Sequence, residues 1–285
     1  MNNSKLNRIK DIGFKYLGIF ASLIGIILLS IFIGNIIIDG LGRIDFDFLN
    51  SLPSRKAEKA GILTAWVGSL WVIIFTFIIA VPVGICAGIY LEEYNKKSIL
   101  TTILEINISN LAGVPSIIYG LLGLEIFVRM SKMGSSVLAG SFTLALLVLP
   151  IIIVATREAL KAVPSSIRAA SYGLGATRWQ TIWNQVLPAS AGGILTGVIL
   201  AISRAIGETA PLIVVGALAY VPFTPRNPMD EFTVLPIQIF NWVSRPQHEF
   251  AINAAGAIII LLLITFTMNG IAVYLRNKWQ KKINW

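Results

Sequence analysis

The chain has 285 residues, of which 55% are hydrophobic and only 13% charged, with a mean hydropathy of +0.77 and a net charge of +9. Soluble domains carry about 25% charged residues, so this composition excludes an ordinary soluble protein and indicates that lipid surrounds much of the chain. One cysteine excludes an internal disulfide, and one histidine leaves metal sites and Ser-His-Asp catalysis poorly supplied. No G-x-x-x-x-G-K-[ST] loop is present, so we expect no ATP binding by this chain alone.

Six apolar stretches are long enough to cross a bilayer, and they predict an all-α integral membrane protein. The first is too long for a signal-peptide core and lacks a small-residue cleavage site, so we expect it to be retained. The predicted spans are residues 14–38, 61–90, 107–130, 137–156, 191–218 and 251–275. Cys86 lies inside the second span and is predicted to be a small core residue.

The connections divide the chain into three predicted parts. Residues 1–60 combine an N-terminal segment, the first span and an outer loop; residues 61–275 form the transmembrane domain; residues 276–285 are a basic tail. Within the domain, residues 219–250 form a long outer loop with five prolines.

The third predicted span is rich in small residues and contains a proline. Gly113, Ser116, Gly120 and Gly123 allow neighbouring helices to approach closely. Pro115 lacks an N–H and leaves the Leu111 carbonyl to be satisfied by another group. Close packing and the lining of a transport pathway both explain this pattern, and they are compatible.

The basic residues are divided unequally between the two sides of the membrane. Fourteen Lys and Arg lie on the side of both termini, including Lys96, Lys97, Lys281 and Lys282, and eight lie on the other side. The positive-inside rule then places both termini in the cytoplasm. Because topology accounts for the positive charge, we do not expect nucleic acid as a partner.

Residues 163–188, here called the knob, are basic and amphipathic between two apolar spans. Pro164, followed by Ser165 and Ser166, predicts a helix start in which a serine oxygen caps the first turn. Gly175 can adopt the positive φ that ends a helix, and Thr177 can cap a second short helix. Two short helices of this kind suit docking into a groove of another protein.

The knob resembles the coupling loop of the permeases of binding-protein-dependent ABC importers. In that pattern a Glu-Ala-Ala triplet is followed by a glycine, here Gly175, and later by Leu-Pro, here Leu187-Pro188. Two positions depart from it: Ala169-Ala170-Ser171 replaces Glu-Ala-Ala, and Gln185 replaces isoleucine. The resemblance implies a type I importer fold of six transmembrane helices with a cytoplasmic coupling helix. It also implies that the knob contacts a cytoplasmic ATPase through Gly175, Ala176, Arg178, Trp179, Leu187 and Pro188.

The fifth predicted span contains Arg204 and Glu208, which are costly inside hydrocarbon and therefore need partners or water. At a spacing of i, i+4 they share a helix face and can pair. One interpretation is a neutral pair that fixes the rotation of the helix. In the other, Arg204 faces an aqueous path and conducts an anion, since a guanidinium matches two phosphate oxygens, and Glu208 orients it.

Neighbouring residues favour the second interpretation. Pro211 leaves the Gly207 carbonyl without its helical partner, and such backbone is tolerated at membrane depth where it lines a cavity or is buried in protein. Ser203 and Thr209 add hydroxyl groups nearby. We therefore take these two residues, with Arg204 and Glu208, as the candidate substrate pathway.

Four further segments resemble the phosphate-specific, PstA-type permeases of this family: residues 202–211, 111–120, 90–94 and 235–247. This resemblance implies a bacterial plasma-membrane importer of inorganic phosphate with a second homologous permease as heterodimer partner. It further implies two copies of an ATPase, which would bind ATP and Mg²⁺, and an extracytoplasmic phosphate-binding protein. Neither catalytic residues nor a metal site are expected in this chain.

Several alternatives stay open. One is an ABC permease for another oxyanion, such as sulfate or molybdate, or for another small solute such as an amino acid, since a guanidinium alone does not choose among oxyanions. A membrane enzyme acting on phosphate head groups is disfavoured by scattered carboxylates, and a secondary transporter by the lack of a visible repeat. Arg157 and Glu158, at the inner end of the fourth span, are either gating residues or a surface charge pair.

Overall fold

The computed structural model describes residues 2–95, 98–217 and 220–280. Within these ranges the chain is helical, apart from loops and one isolated β-bridge between Ser136 and Glu231. The all-α prediction is therefore confirmed. Four lysines used to orient the chain, Lys96, Lys97, Lys281 and Lys282, lie outside the described residues, as do positions 218 and 219, where the fifth span was predicted to end and the outer loop to begin.

The helices follow the chain in a simple order. The α-helices are α1 Asn2–Gly40, α2 Phe46–Asn50, α3 Leu63–Ile89, α4 Ile99–Leu111, α5 Ser116–Gly123, α6 Val137–Lys161, α7 Ser165–Gly173, α8 Arg178–Thr181, α9 Leu187–Gly207, α10 Ala210–Val215, α11 Leu235–Val243 and α12 His248–Gln280. Short 3₁₀ turns cover Leu41–Arg43 and Ala57–Lys59, and wide π turns cover Tyr90–Tyr94, Leu124–Met130 and Ile182–Val186.

Five helical stretches within the described residues are long and apolar enough to cross a membrane: Lys10–Arg43, Leu63–Tyr94, Val137–Lys161, Arg178–Gly207 and His248–Lys278. The sixth is a bent pair, Thr101–Leu111 and Ser116–Met130, with an angle of 104° between its halves. Six spans result if the pair counts as one. The prediction of one uninterrupted span over 107–130 is wrong in this respect.

The bend in the third span has a local cause. The preceding helix ends at Leu111, and Pro115, which has no N–H to donate, stands directly before α5. The Tyr119 hydroxyl donates to the Leu111 carbonyl across the break at 2.8 Å. The carbonyl that the sequence left without a partner is thus satisfied by a side chain of the next helix.

A second break interrupts the fifth span. Helix α9 ends at Gly207, Glu208 is extended, and α10 begins at Ala210 with Pro211 in its first turn. The predicted continuous span over 191–218 is therefore also wrong. Proline is tolerated in the first turn of a helix but not in its interior, which explains why a new helix starts here.

Helix α6 lies at the centre of the bundle, with α3 and α9 packed against it. Gly84 and Gly88 of α3 face Ile152 and Thr156 of α6, and a Cβ on Gly88 would come within 2.7 Å of the Thr156 side chain. On the other side, Gly193 and Gly197 of α9 face Ala159 and Ala155. Because these glycines have no side chain, the three helices can pack closely against one another.

The outer segments fold into a cap over this bundle. Phe48 of α2, Trp242 of α11 and Phe250 of α12 are buried together. Arg43 donates to Asn253 Oδ1 at 2.8 Å and to the Glu58 and Ala60 carbonyls at 3.0 and 3.1 Å. The loops that the sequence presents as polar connections therefore contain helices and a small apolar core.

Cys86 is exposed on the outer face of α3, so its predicted place in the core is wrong. Residues of α3 that face α6, such as Gly84 and Gly88, are buried, and Cys86 lies between them on another side of the helix. An apolar surface at membrane depth does not need protein to cover it, because lipid is equally apolar.

Close contact between α5 and α10 gives a first prediction. A Cβ on Gly120 would lie 2.8 Å from Pro211 Cα and 2.9 Å from Val214 Cβ. We expect Gly120→Ala to destabilise the purified protein by about 1–3 kcal/mol, as overpacking does, seen as a lower thermal midpoint in detergent. The control is Gly18→Ala in α1, where a Cβ meets nothing within 4 Å. Equal midpoints for the two variants would contradict this packing.

Candidate functional site

Arg204 and Glu208 form the predicted pair beside the break in the fifth span. Arg204 Nε donates to Glu208 Oε1 at 3.2 Å, although Glu208 lies just beyond the end of α9. The Arg204 side chain is 43% exposed and that of Glu208 17%. Within the described part of the chain, the two terminal nitrogens of Arg204 have no hydrogen-bond partner. The pair is therefore neutral overall, yet it leaves the two-pronged end of the guanidinium open to an anion.

The two helix breaks belong to neighbouring elements. Gly120 of α5 packs directly on Pro211 and Val214 of α10. Tyr119, which bridges the first break through its hydrogen bond to the Leu111 carbonyl, is the residue next to Gly120. The structure therefore brings residues 111–120 and 202–211 together, two segments that the sequence gives separately.

The two predicted hydroxyl residues behave differently. The Ser203 hydroxyl lies 2.7 Å from the Ile199 carbonyl and 2.5 Å from Asn269 Oδ1 of α12, so it joins α9 to α12. Thr209 lies in the break itself, where its carbonyl accepts the Ile213 N–H at 3.1 Å. Asn269 was missed from the sequence, although a lone amide in an apolar span is a recognisable signal.

The knob has the predicted two-helix form. Gly175 has φ +83° between α7 and α8. Thr177 caps α8 in a capping box: the Gln180 N–H donates to Thr177 Oγ1 at 3.3 Å, and the Thr177 N–H to Gln180 Oε1 at 2.9 Å. The serine cap predicted for α7 is wrong, because Pro164 occupies the N-cap position and no side chain caps this helix. Leu174, beside Gly175, is 90% exposed at the tip.

An ion pair fixes the base of the knob to the rest of the protein. Arg168 of α7 binds Glu93 through Nη2 at 2.6 Å and Nε at 3.2 Å, and Glu93 is only 7% exposed. The same guanidinium donates to the Val163 and Leu160 carbonyls at 2.7 and 2.9 Å. The inner ends of α3 and α6 and the start of α7 are thereby joined. Glu93 and Arg168 were missed because 75 residues separate them.

The remaining knob residues lie on different surfaces. Ala176 is half-buried behind the tip, and the Arg178 guanidinium lies 5.5 Å from the centroid of the Tyr94 ring. Trp179 stacks on Trp183 with ring centroids 5.5 Å apart. Leu187 and Pro188 begin α9 at the base. The six predicted contact residues are therefore distributed between the exposed tip, the stacked tryptophans and the start of α9.

Arg157 and Glu158, at the inner end of α6, make contacts with different partners. Arg157 is 7% exposed, with Nη2 2.7 Å from Glu105 Oε1 and Nε 3.6 Å from Glu92 Oε2. Glu158 is exposed and pairs with Lys161 at 2.9 Å. The interpretation of the two as one surface pair therefore does not hold: Arg157 joins three elements beside a cavity of about 980 Å³, and Glu158 belongs to the surface.

The outer loop carries a tight turn at Asp230. Its Oδ2 accepts the backbone N–H groups of Arg226 and Asn227 at 2.8 and 2.9 Å. These two hydrogen bonds, that of Arg226 first, hold the pKa of Asp230 below its ordinary value. Among the described residues, no group of three or more His, Cys, Asp or Glu side chains is arranged to hold a metal ion.

Comparison with known proteins places this arrangement in context. Residues 80–281 match the family described as binding-protein-dependent transport system inner membrane component. The chain is 34% identical to the phosphate transport system permease protein PstA of Haemophilus influenzae, over 89% of this chain and 88% of that protein. It is 36% identical to the PstA protein of Yersinia pestis (79% and 75%) and 29% identical to the probable ABC transporter permease YqgI of Bacillus subtilis (88% and 90%).

Solved structures share the fold at low sequence identity. A bacterial ABC transporter involved in the import of the acidic polysaccharide alginate matches with a TM-score of 0.65 and 14% identity, over 94% of this chain and 98% of that chain. The inward-facing MetNI methionine ABC transporter matches with a TM-score of 0.55 and 16% identity, over 74% and 91%. The overall helical arrangement is therefore that of ABC importer permeases.

The buried ion pair at the base of the knob gives a second prediction. Replacing one member of a buried pair leaves the other charge without compensation, which costs roughly 3–5 kcal/mol. We expect Glu93→Gln to lower the thermal midpoint of the purified protein far more than Glu158→Gln, whose exposed pair contributes about 0–1 kcal/mol. If both variants melt at the wild-type temperature, the pair between Glu93 and Arg168 does not hold the knob.

Proposed function

Because the chain belongs to the family of binding-protein-dependent transport system inner membrane components, we propose that it is the permease subunit of an ATP-driven importer of inorganic phosphate. The observation that carries the proposal is the half-exposed Arg204 guanidinium, neutralised through Nε by Glu208 and open at its terminal nitrogens. Relatives named as phosphate transport permeases over most of their length support the choice of substrate. The chain is a multi-pass membrane protein and a transport subunit, not an enzyme.

The pair explains how an anion could pass without being trapped. An uncompensated arginine at the centre of a bilayer costs roughly 2.5–3.5 kcal/mol, and Glu208 reduces this cost while the site is empty. A phosphate ion accepts from the two terminal nitrogens while Nε stays with Glu208. Because the carboxylate keeps part of the guanidinium charge engaged, the bound anion is held weakly enough to leave.

The break in each neighbouring span supplies the rest of the pathway. Backbone that is not helical at membrane depth is stable only in protein or beside a water-filled cavity. Residues 112–115 and 208–209 both have this character and lie on elements that pack together. Thr209 lies in the second break and Tyr119 forms a hydrogen bond across the first, whereas Ser203 serves the contact with α12.

The knob is the proposed contact with the ATPase. Leu174 and Gly175 form its exposed tip, with Ala176 behind them, and Arg168 carries force from this tip to α3 and α6. We propose two copies of the ATPase, which bind ATP and Mg²⁺, a second homologous permease, and an extracytoplasmic phosphate-binding protein that approaches the outer loop. Both termini are then cytoplasmic, in a bacterial plasma membrane, and Arg157 serves as a gating residue.

Transport by the assembled complex tests the site. In proteoliposomes containing the four components, we expect Arg204→Gln to assemble but to take up labelled phosphate at least about tenfold more slowly, since one charge-assisted hydrogen bond contributes roughly 1.5–3 kcal/mol. Arg204→Lys, which keeps the charge but loses the fork, should be intermediate. The control is Arg129→Gln, an exposed arginine paired with Glu125 at 3.1 Å. Normal uptake by Arg204→Gln would make Arg204 structural, and uptake of sulfate in place of phosphate would change the substrate but not the family.

Glycine substitutions test the knob. Gly175→Ala places a Cβ on a residue with φ +83°, which costs about 1–2 kcal/mol because the left-handed conformation is unfavourable with a side chain. The backbone at the tip of the knob should therefore change its conformation. We expect phosphate-stimulated ATP hydrolysis to fall several-fold in this variant. Gly173→Ala, two residues away at a position with ordinary φ and no neighbour within 4 Å of a Cβ, should retain it. Unchanged hydrolysis in Gly175→Ala would remove the tip from the coupling contact.

A further inference from the structure

An apolar groove runs along the exposed surface of α3, near its inner end, and the start of α9. The part nearer the tip of the knob has a volume of about 370 Å³ and lies between Ile89, the adjacent Tyr90, and Trp183 of the π turn Ile182–Val186. The part farther from the tip has a volume of about 300 Å³ and continues past Ile85 towards Ile194. Trp183 and Leu187 line both parts, so the two form one channel on the protein surface, here called the interface groove.

The mouth of the interface groove is aromatic and basic. Trp179 and Trp183 stack with an angle of 18° between their rings, and each is 59% exposed. Neither indole N–H donates to another group in the described part of the chain. The Arg178 guanidinium lies over Tyr94 and has no carboxylate partner among the described residues.

The position of the groove relative to the membrane indicates which molecules it contacts. Both walls belong to membrane-spanning stretches, Leu63–Tyr94 and Arg178–Gly207, and the mouth is formed by the second half of the knob. Tryptophan and tyrosine concentrate at the membrane–water boundary, where the ring is in an apolar layer and the N–H or O–H is hydrated. The cytoplasmic leaflet carries anionic lipids, and an unpaired arginine is complementary to their phosphate.

We propose that the interface groove binds one anionic phospholipid of the cytoplasmic leaflet. An acyl chain lies between Ile85, Ile89 and Ile194, the stacked tryptophans cover it at the glycerol level, and Arg178 binds the phosphate. The second helix of the knob is thereby anchored to the membrane, while Leu174 and Gly175 at the tip are free for a protein partner. This assigns Arg178 and Trp179 to lipid and not to the ATPase.

Quenching of tryptophan fluorescence by brominated lipids tests the proposal. The assembled complex is placed in nanodiscs with phosphatidylglycerol or phosphatidylcholine brominated in the acyl chain, and the signal lost in Trp179→Phe/Trp183→Phe isolates the stacked pair. We expect phosphatidylglycerol to quench this signal at about fivefold lower mole fraction than phosphatidylcholine, the effect of one basic residue at an anionic surface. Arg178→Gln should remove the preference, and Arg226→Gln, an exposed arginine of the outer loop, should keep it.

The other outcomes overturn the proposal in distinguishable ways. Equal quenching by the two lipids means that ordinary surrounding lipid fills the groove without selection by Arg178. No quenching by either lipid means that protein, from the ATPase or the second permease, covers the tryptophans. A preference that survives Arg178→Gln assigns the anion to another residue. None of these readouts depends on which solute the complex transports.

Discussion

Close backbone approach along α6 is the constraint on which the rest of the structure depends. Lipid tails are as apolar as leucine, so helices in a bilayer gain little from hiding apolar surface and must instead pack closely. Gly84, Gly88, Gly193 and Gly197 provide this on the two sides of α6. With α3, α6 and α9 held at fixed spacing, their inner ends form a rigid base for the knob, and their middle sections position the two broken spans.

The features that the sequence predicted correctly are local ones. Gly175 and Thr177 define the knob because a positive φ and a capping box involve residues only a few positions apart. The pair of Arg204 and Glu208 was likewise visible from its spacing, and it forms even though the helix ends between the two residues. Prediction failed where chain connectivity gives no information: Glu93 with Arg168, Arg157 with Glu105, and Ser203 with Asn269 are joined only by the fold.

Proline gave a partial signal that was interpreted too weakly. Pro115 and Pro211 were each recognised as leaving a carbonyl without its partner, yet both spans were still predicted as continuous. The structure resolves the conflict by ending one helix and starting another, with Tyr119 supplying the missing donor in the first case. Breaking the helix costs hydrogen bonds, and close packing of α5 on α10 helps to compensate. Two interrupted spans in contact therefore reinforce each other, whereas either alone would be exposed to hydrocarbon.

The position of Cys86 makes it a natural attachment site for a chemical probe. It is the one cysteine of the sequence, it is exposed, and it lies on the wall of the interface groove. A membrane-permeant, thiol-reactive spin label or fluorophore can therefore be attached there without engineering any other position. The native chain thus carries a single built-in reporter beside the junction of α3 with the knob, where movements driven from the cytoplasm first enter the membrane.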